Sequence, residues 1–199
     1  MKKKPKKKKV AKRLEPKFGL LFSGGLDSSL IALIAKNLGT EFKCYCIGLE
    51  GSSDIEFSKQ ISKSLSLETI YKILTLDDVE SYLKKCISSL KTNDVVKLEI
   101  AIVIYSGLEL ASKDNINNLF TGAGSEEIFA GYDRHIKFLK EDNYKKVHDE
   151  CWKGLKSYYS RDILRDYAIS KHFNVNLLLP FLDKDVIKTA MSIHPILKI

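Results

Sequence analysis

Apolar and polar positions fall in blocks that switch between strand and helix periods along the chain. Phe18–Phe22 is a short apolar run that predicts a first strand, and Ser23-Gly24-Gly25 behind it predicts a turn. Leu30, Ile31, Ile34 and Leu38 then follow at helical spacing, with Gly39 where a helix ends. Phe42–Leu49 is apolar enough for a strand buried on both faces. Strand, helix, strand in this order predicts a βαβ unit, hence a parallel sheet with a right-handed crossover. After the loop Gly51-Ser52-Ser53-Asp54, Asp54 is expected to cap a helix that runs to Leu65, and Thr69–Ile73 reads as a third strand. A helix beginning after Asp77 would bury Val79, Leu83, Cys86, Ile87 and Leu90. Val95–Ala111 is almost uniformly apolar around Ile100–Tyr105, and its length favours a buried helix over a strand.

Ile116–Thr121 predicts a fourth strand, which leads into a second glycine turn and helix start, Thr121–Tyr132. Asp133–Phe173 is amphipathic and helical, its tyrosines read as packing residues, and it shows no catalytic spacing. Leu177–Asp183, with Pro180, is expected to be an extended turn into a last helix, Lys184–Ile193, stopped by His194-Pro195. The class is therefore α/β, a parallel Rossmann-like sheet in a single domain over residues 17–199.

Composition changes this picture little: 44% hydrophobic and 29% charged residues suit a soluble globular protein. Charge matters more. The net charge of +8 suggests a nucleic-acid partner until it is located. Nine of the 33 basic residues lie in residues 1–13 with no acid, and the remaining 24 face 25 acidic residues. Any nucleic-acid contact is thus expected only through this Lys-rich tail, residues 1–16, which is too polar to fold by itself. A solvated tail is the alternative. No apolar run approaches the roughly 20 residues of a membrane helix, and no apolar stretch follows the basic N-terminus as in a secretory signal. Cys44, Cys46, Cys86 and Cys151 form no C-x-x-C pair and are expected to be buried and reduced. The four histidines lack zinc spacing. The expected location is the cytoplasm.

The candidate chemistry lies in Ser23-Gly24-Gly25-Leu26-Asp27-Ser28-Ser29. A strand, a tight glycine turn and a helix start aim backbone N–H groups and a helix dipole at an anion. Two glycines allow close approach and positive φ. The loop lacks the Walker lysine and the G-x-G-x-x-G spacing. An acid within a phosphate loop repels its ligand unless a cation lies between them, so Asp27 points to Mg²⁺. The plain alternative is a helix N-terminus that Asp27 or Ser28 caps. In the second loop, Glu126 and Glu127 would suit the dipole of a first helical turn. Two glycine loops at the strand ends of one sheet are expected to share a ligand crevice.

Four stretches in order resemble the synthetase domain of the asparagine synthetase family, among the PP-loop ATP pyrophosphatases. They are Ser23–Ser29, Ile47-Gly48-Leu49-Glu50-Gly51-Ser52-Ser53-Asp54, Thr121–Tyr132, and Leu179-Pro180-Phe181-Leu182-Asp183. The resemblance implies an adenine nucleotide alpha hydrolase-like sheet that binds ATP with Mg²⁺, adenylates a carboxylate (aspartate in this family), releases pyrophosphate and forms an amide. Leu21, Ile47, Thr121 and Gly122 would hold the adenosine. Ser23, Gly24, Gly25, Leu26, Asp27, Ser28 and Ser29 would cradle the pyrophosphate. Asp27 and Glu126 would be the catalytic Mg²⁺ ligands, the family more usually having Asp at the second position.

Three features depart from the family pattern. Only the Lys tail precedes the first loop, so ammonia or a complementing glutaminase subunit is expected to supply nitrogen. Ala123 stands where the family has a glutamate thought to assist the nucleophile, and a methyl group cannot move a proton. The family also continues past the position of Ile199 with a helix whose Lys and Arg neutralise phosphates, so the domain is expected to be truncated there. Two further possibilities stay open at this point, a PP-loop enzyme acting on tRNA and a non-catalytic ATP-binding subunit.

Overall fold

A computed structural model describes residues 18–198, so the expected tail, residues 1–16, lies outside the described residues. Five strands form an all-parallel sheet in the order β3-β2-β1-β4-β5. They are β1 (Phe18–Leu21), β2 (Phe42–Leu49), β3 (Thr69–Leu74), β4 (Asn118–Phe120) and β5 (Asn176–Leu178). The helices are α1 (Leu26–Asn37), α2 (Ser53–Leu65), α3 (Leu76–Leu90), α4 (Val95–Lys113), α5 (Ser125–Phe129), α6 (Asp133–Lys140), α7 (Tyr144–Tyr158), α8 (Leu164–Phe173) and α9 (Lys184–Met191). The described chain divides into two units. The first runs to Thr121 and includes Leu164–Leu178, and the second holds Gly122–Ile163 and the residues from Leu179 onward.

In the first unit, β1 pairs with β2 from Phe18↔Phe42 to Leu21↔Tyr45 and with β4 at Gly19↔Leu119 and Leu20↔Phe120. This confirms the parallel α/β class. Side chains alternate across β2, as strand geometry requires. Tyr45 and Ile47 join a core with Leu74, Leu98, Tyr105, Leu108, Leu119 and Ile169, under α3, α4 and α8. Cys44 and Cys46 face the other way, and the Cys46 thiol donates to the Asp54 carbonyl at the head of α2 at 3.7 Å. Gly19 makes room for this arrangement. A Cβ there would lie 2.7 Å from Leu119 Cδ1 and 2.8 Å from Tyr45 Cε2. At the foot of the sheet Tyr45 Oη donates to Asp114 Oδ2 at 2.8 Å, and Lys43 Nζ reaches the same oxygen at 3.2 Å. All four cysteines are buried and free, and burial pushes the Cys44 thiol up to about 12 and Cys86 up to about 11.

Several boundaries differ from those expected, each for a local reason. Ser52, not Asp54, is the N-cap of α2. Helix α3 starts at Leu76 because Thr75 accepts from the Asp78 N–H while the Asp78 carboxylate accepts from the Thr75 N–H, a reciprocal capping box. Helix α1 buries Ser28, Ile31, Ala32 and Ala35, leaving Leu30 and Leu38 exposed: its small residues set the inner face. Helix α4 buries Leu98, Ala101, Ile102, Ile104–Leu108 and Ala111, while Ile100 and Val103 lie on its outer side and Val95 and Val96 are exposed. Strand β4 is trimmed to Asn118–Phe120, and Leu177 and Leu178, expected to open an extended turn, belong to a true strand. Asn118↔Asn176 through Phe120↔Leu178 pair in parallel, a strand too short and too Asn-rich at its start to show a pattern.

The expected single helical stretch Asp133–Phe173 is three helices. Asp142, at φ +51, ends the link after α6, and a π-helical turn, Tyr159–Ile163, joins α7 to α8. The second unit packs around Ala130, Val147, Cys151 and Met191, with Phe138, Leu139, Leu155 and Ile187 against them. Tyr158 is buried as expected, whereas Tyr159 and Tyr167 are exposed. No helix among the described residues is long and apolar enough to cross a membrane.

Gly19→Ala is expected to lower stability by about 1–3 kcal/mol, since its methyl overpacks Leu119 and Tyr45. A denaturant midpoint measured by far-UV circular dichroism checks this.

Candidate functional site

The Phe22 N–H donates to the Tyr45 carbonyl at 2.9 Å, which carries the pairing one residue past β1. The chain then leaves the sheet at the carboxyl end of its central strand, next to β4. In a doubly wound sheet this is the switch point where ligands bind. Gly24 turns the chain with φ +78, and a Cβ there would lie 2.6 Å from the carbonyl carbon of Phe57 in α2. Backbone presses on backbone, and only glycine fits. Gly25 is the N-cap of α1 with φ −66 and ψ 169 and makes no side-chain cap hydrogen bond. Positive φ is therefore confined to the first glycine of the pair. Asp27 and Ser28 lie within the first turn of α1, so neither is the cap. The first-turn N–H groups of a helix have no intrahelical acceptor, and the dipole adds about half a positive charge at that end.

Hydroxyl groups brace the turn from within. Ser23 Oγ accepts from the Gly25 N–H at 3.2 Å and lies 3.3 Å from Ser28 Oγ. Ser28 Oγ donates to the Gly25 carbonyl at 3.3 Å, and Ser29 Oγ to the Gly24 carbonyl at 3.1 Å. Both loop carbonyls are thus bonded inward and the Gly25 N–H is taken by Ser23 Oγ, so the donors this loop could offer an anion are the first-turn N–H groups of α1. Leu26 is 83% exposed, so its backbone and not its side chain belongs to the loop wall. Asp27 is half-buried. Leu21 packs on Gly107 of α4, where a Cβ would collide with its side chain, and Ile47 is buried beside the same glycine. The Thr121 N–H donates to the Leu178 carbonyl at 3.0 Å, just past β4. The first unit thus holds Leu21, Ser23–Ser29, Ile47 and Thr121.

Gly122 and Glu126 belong to the second unit. There Gly124, at φ +91, is the N-cap of α5, and a Cβ on it would lie 2.6 Å from Leu182 Cδ2. Glu126 is framed closely. Ser125 Oγ donates to its Oε2 at 3.1 Å, the Gly131 N–H donates to its carbonyl at 3.1 Å, and a Cβ on Gly131 would lie 3.1 Å from its Cγ. Glu127 is almost wholly buried. Its Oε1 accepts from Tyr132 Oη at 2.7 Å and from Arg161 Nη2 at 2.5 Å, while its buried Oε2 has no hydrogen-bond partner among the described residues. Arg161 Nε bonds Asp162 Oδ2 at 2.5 Å. Burial, with the bond to Glu127, pushes the Tyr132 phenol up. His135 is buried and accepts from the Tyr132 N–H, and burial lowers its pKa. Lys198 Nζ donates to the Ile128 carbonyl at 3.0 Å. Arg161 and Lys198 carry no motif spacing; they are 34 and 70 residues from the groups they hold, and sequence order gives no signal for them.

The donor chemistry of Asp27 and Glu126 suits Mg²⁺, which takes hard oxygen ligands. Among the described residues no group of three or more His, Cys, Asp or Glu comes together.

A glycine turn at the switch point of a five-stranded parallel sheet, opening directly onto α1, defines the chain as an α/β protein with a strand–loop–helix motif at the carboxyl end of β1. The chain belongs to the asparagine synthase family, whose model matches residues 7–148. It is 33% identical over 189 residues to the putative asparagine synthetase [glutamine-hydrolyzing] 1 of Methanocaldococcus jannaschii, covering 94% of this chain and 35% of that protein. Asparagine synthetase [glutamine-hydrolyzing] 1 of Arabidopsis thaliana is 32% identical over 198 residues, covering 94% of this chain and 33% of its own. The chain thus spans about a third of the length of these relatives. Among solved structures, a U34-tRNA thiolase of Methanococcus maripaludis with its [4Fe-4S] cluster aligns at TM-score 0.47 and 17% identity, over 92% of this chain and 60% of that one. A predicted tRNA methyltransferase subunit of Methanocaldococcus jannaschii aligns at TM-score 0.46 and 21% identity, over 88% and 74%.

The two loop glycines are expected to respond differently to a methyl group. Gly24→Ala meets both a positive φ and the α2 backbone and should cost about 2 kcal/mol or more. Gly25→Ala meets only Ser23 Oγ at 3.3 Å and should stay within about 0.5 kcal/mol of the parent. Urea denaturation of the two variants compares them directly.

Proposed function

We propose that the chain is an ATP- and Mg²⁺-dependent carbon–nitrogen ligase domain that adenylates a carboxylate, aspartate above others, and converts it to an amide. The observation that carries this reading is the uncapped start of α1 behind Gly24, in a chain of the asparagine synthase family. The first-turn N–H groups of α1 would take the β- and γ-phosphates, held in place by the loop that Ser23, Ser28 and Ser29 brace. Leu21 would offer its half-buried side chain to the adenosine. Ile47, being buried, would do so through its backbone, and Thr121 and Gly122 would border the base or ribose. Asp27 and Glu126 would ligate Mg²⁺, which when bound offsets the negative charge on the phosphates.

The substrate carboxylate oxygen would attack the α-phosphorus, forming an acyl-adenylate as the bond to pyrophosphate breaks. Charge grows on the leaving pyrophosphate, and the fixed N–H groups of α1 stabilise it without reorganisation. Ammonia, free or delivered by a glutaminase partner, would then attack the acyl carbon and displace AMP. Ala123 can accept no proton from it, so that proton would pass to a substrate phosphate or to solvent.

Pyrophosphate release should require ATP and Mg²⁺ together with aspartate and yield asparagine when ammonia is added. Nucleotide binding without release, across a panel of amino acids, would replace the ligase reading with a non-catalytic ATP-binding one. Asp27→Asn should reduce Mg²⁺-dependent release by at least about 100-fold, and unchanged release would remove Asp27 from the site.

A further inference from the structure

Helix α5 has five residues, too few to be held by its own hydrogen bonds, so its orientation is set by what grips it. Three of its grips act on backbone or on Glu126 itself: the Ser125 hydroxyl, the Gly131 N–H and, at the far end, Lys198 on the Ile128 carbonyl. The fourth is an ion pair. Glu127 lies with its side chain fully enclosed, yet its Oε1 meets both the Tyr132 hydroxyl and the Arg161 guanidinium. Arg161 in turn is fixed by Asp162, so one planar cation spans two acids. An enclosed carboxylate that loses its guanidinium partner must find new hydrogen-bond donors, and moving it moves the helical turn that carries Glu126.

Resting on the ATP and Mg²⁺ reading above, we propose that Arg161 is a positioning residue that acts through Glu127, within the second unit, to hold the neighbouring Glu126 carboxylate ready for Mg²⁺. Arg161 need not touch nucleotide, metal or substrate. It serves as the outer support of a metal-ligating carboxylate, a type of partner whose loss weakens metal affinity by about 10–100-fold. Tyr132 contributes the second bond to the same oxygen, and its ring lies under the Arg134 guanidinium at 4.1 Å, which limits how far Glu127 can turn if Arg161 is lost.

The test uses the full chain with Arg161→Met and Arg161→Lys. Calorimetric titration of ATP would be done in EDTA and over a series of Mg²⁺ concentrations, with amide hydrogen exchange followed in residues 125–131. Arg161→Met should raise the Mg²⁺ concentration needed for half-maximal enhancement of ATP binding by about tenfold or more. Metal-free ATP binding should stay within about twofold, and exchange should quicken in residues 125–131 but not in β1 or β2. Arg161→Lys, which keeps the charge and loses the fork, should fall between Arg161→Met and the parent. Unchanged Mg²⁺ dependence in Arg161→Met overturns the positioning role while leaving the ATP reading standing. If Arg161→Met fails to fold, Arg161→Lys decides, and a Mg²⁺ dependence equal to the parent's overturns the role. If the parent chain itself shows no Mg²⁺-enhanced ATP binding, the ATP reading falls and this proposal falls with it.

Discussion

Everything in the first unit hangs on one four-residue strand, β1, paired on both sides at Gly19 and Leu20. Phe18–Leu21 pairs with β2 along one edge and with β4 along the other, and no side chain at Gly19 separates Tyr45 from Leu119. A central parallel strand must be covered on both faces, and the alternation along β2 supplies the two sets of contacts. Because β1 is short and central, the chain leaves it abruptly at the switch point. The tight turn there is a consequence of sheet order, and Gly24 is the residue that makes the turn possible against α2.

From that turn the chemistry follows by steps. A turn this tight starts α1 with no side-chain cap, so first-turn N–H groups face outward. The nearby serine hydroxyls bond the loop's own carbonyls, which keeps acceptors away from an arriving phosphate. In the proposed reading Asp27 would stand beside a phosphate, and a cation would have to lie between them. The second unit shows the same economy with different means. A five-residue helix after Gly124 presents Glu126, and a buried acid, a phenol and a guanidinium hold the helix in place.

The parallel class, both glycine turns and nearly all the limits of β1 and β2 were legible in the sequence, because each rests on local pattern. Phe42–Leu49 reads as a strand from its own composition and is one. Helix caps were less legible: Ser52 and Asp54 compete for the head of α2, and Thr75 takes the head of α3 through a reciprocal bond with Asp78. Strand β5 was hidden because three residues beginning with Asn carry no period, and its pairing with β4 is a long-range event. Least legible was the support of Glu127. Arg161 lies in an amphipathic stretch with no motif, and only folding brings it to that carboxylate. Local rules thus describe the two glycine loops, and tertiary contacts describe what holds the short helix after the second.

The central claim is that Ser23–Ser29 receives the phosphates of ATP with Mg²⁺. Competition calorimetry with inorganic pyrophosphate tests it most directly, because pyrophosphate carries the phosphate contacts and none of the adenosine ones. Pyrophosphate with Mg²⁺ should bind the chain and displace ATP competitively, and Gly24→Ala should weaken both ligands together. Pyrophosphate that fails to bind, or that binds without displacing ATP, would contradict it.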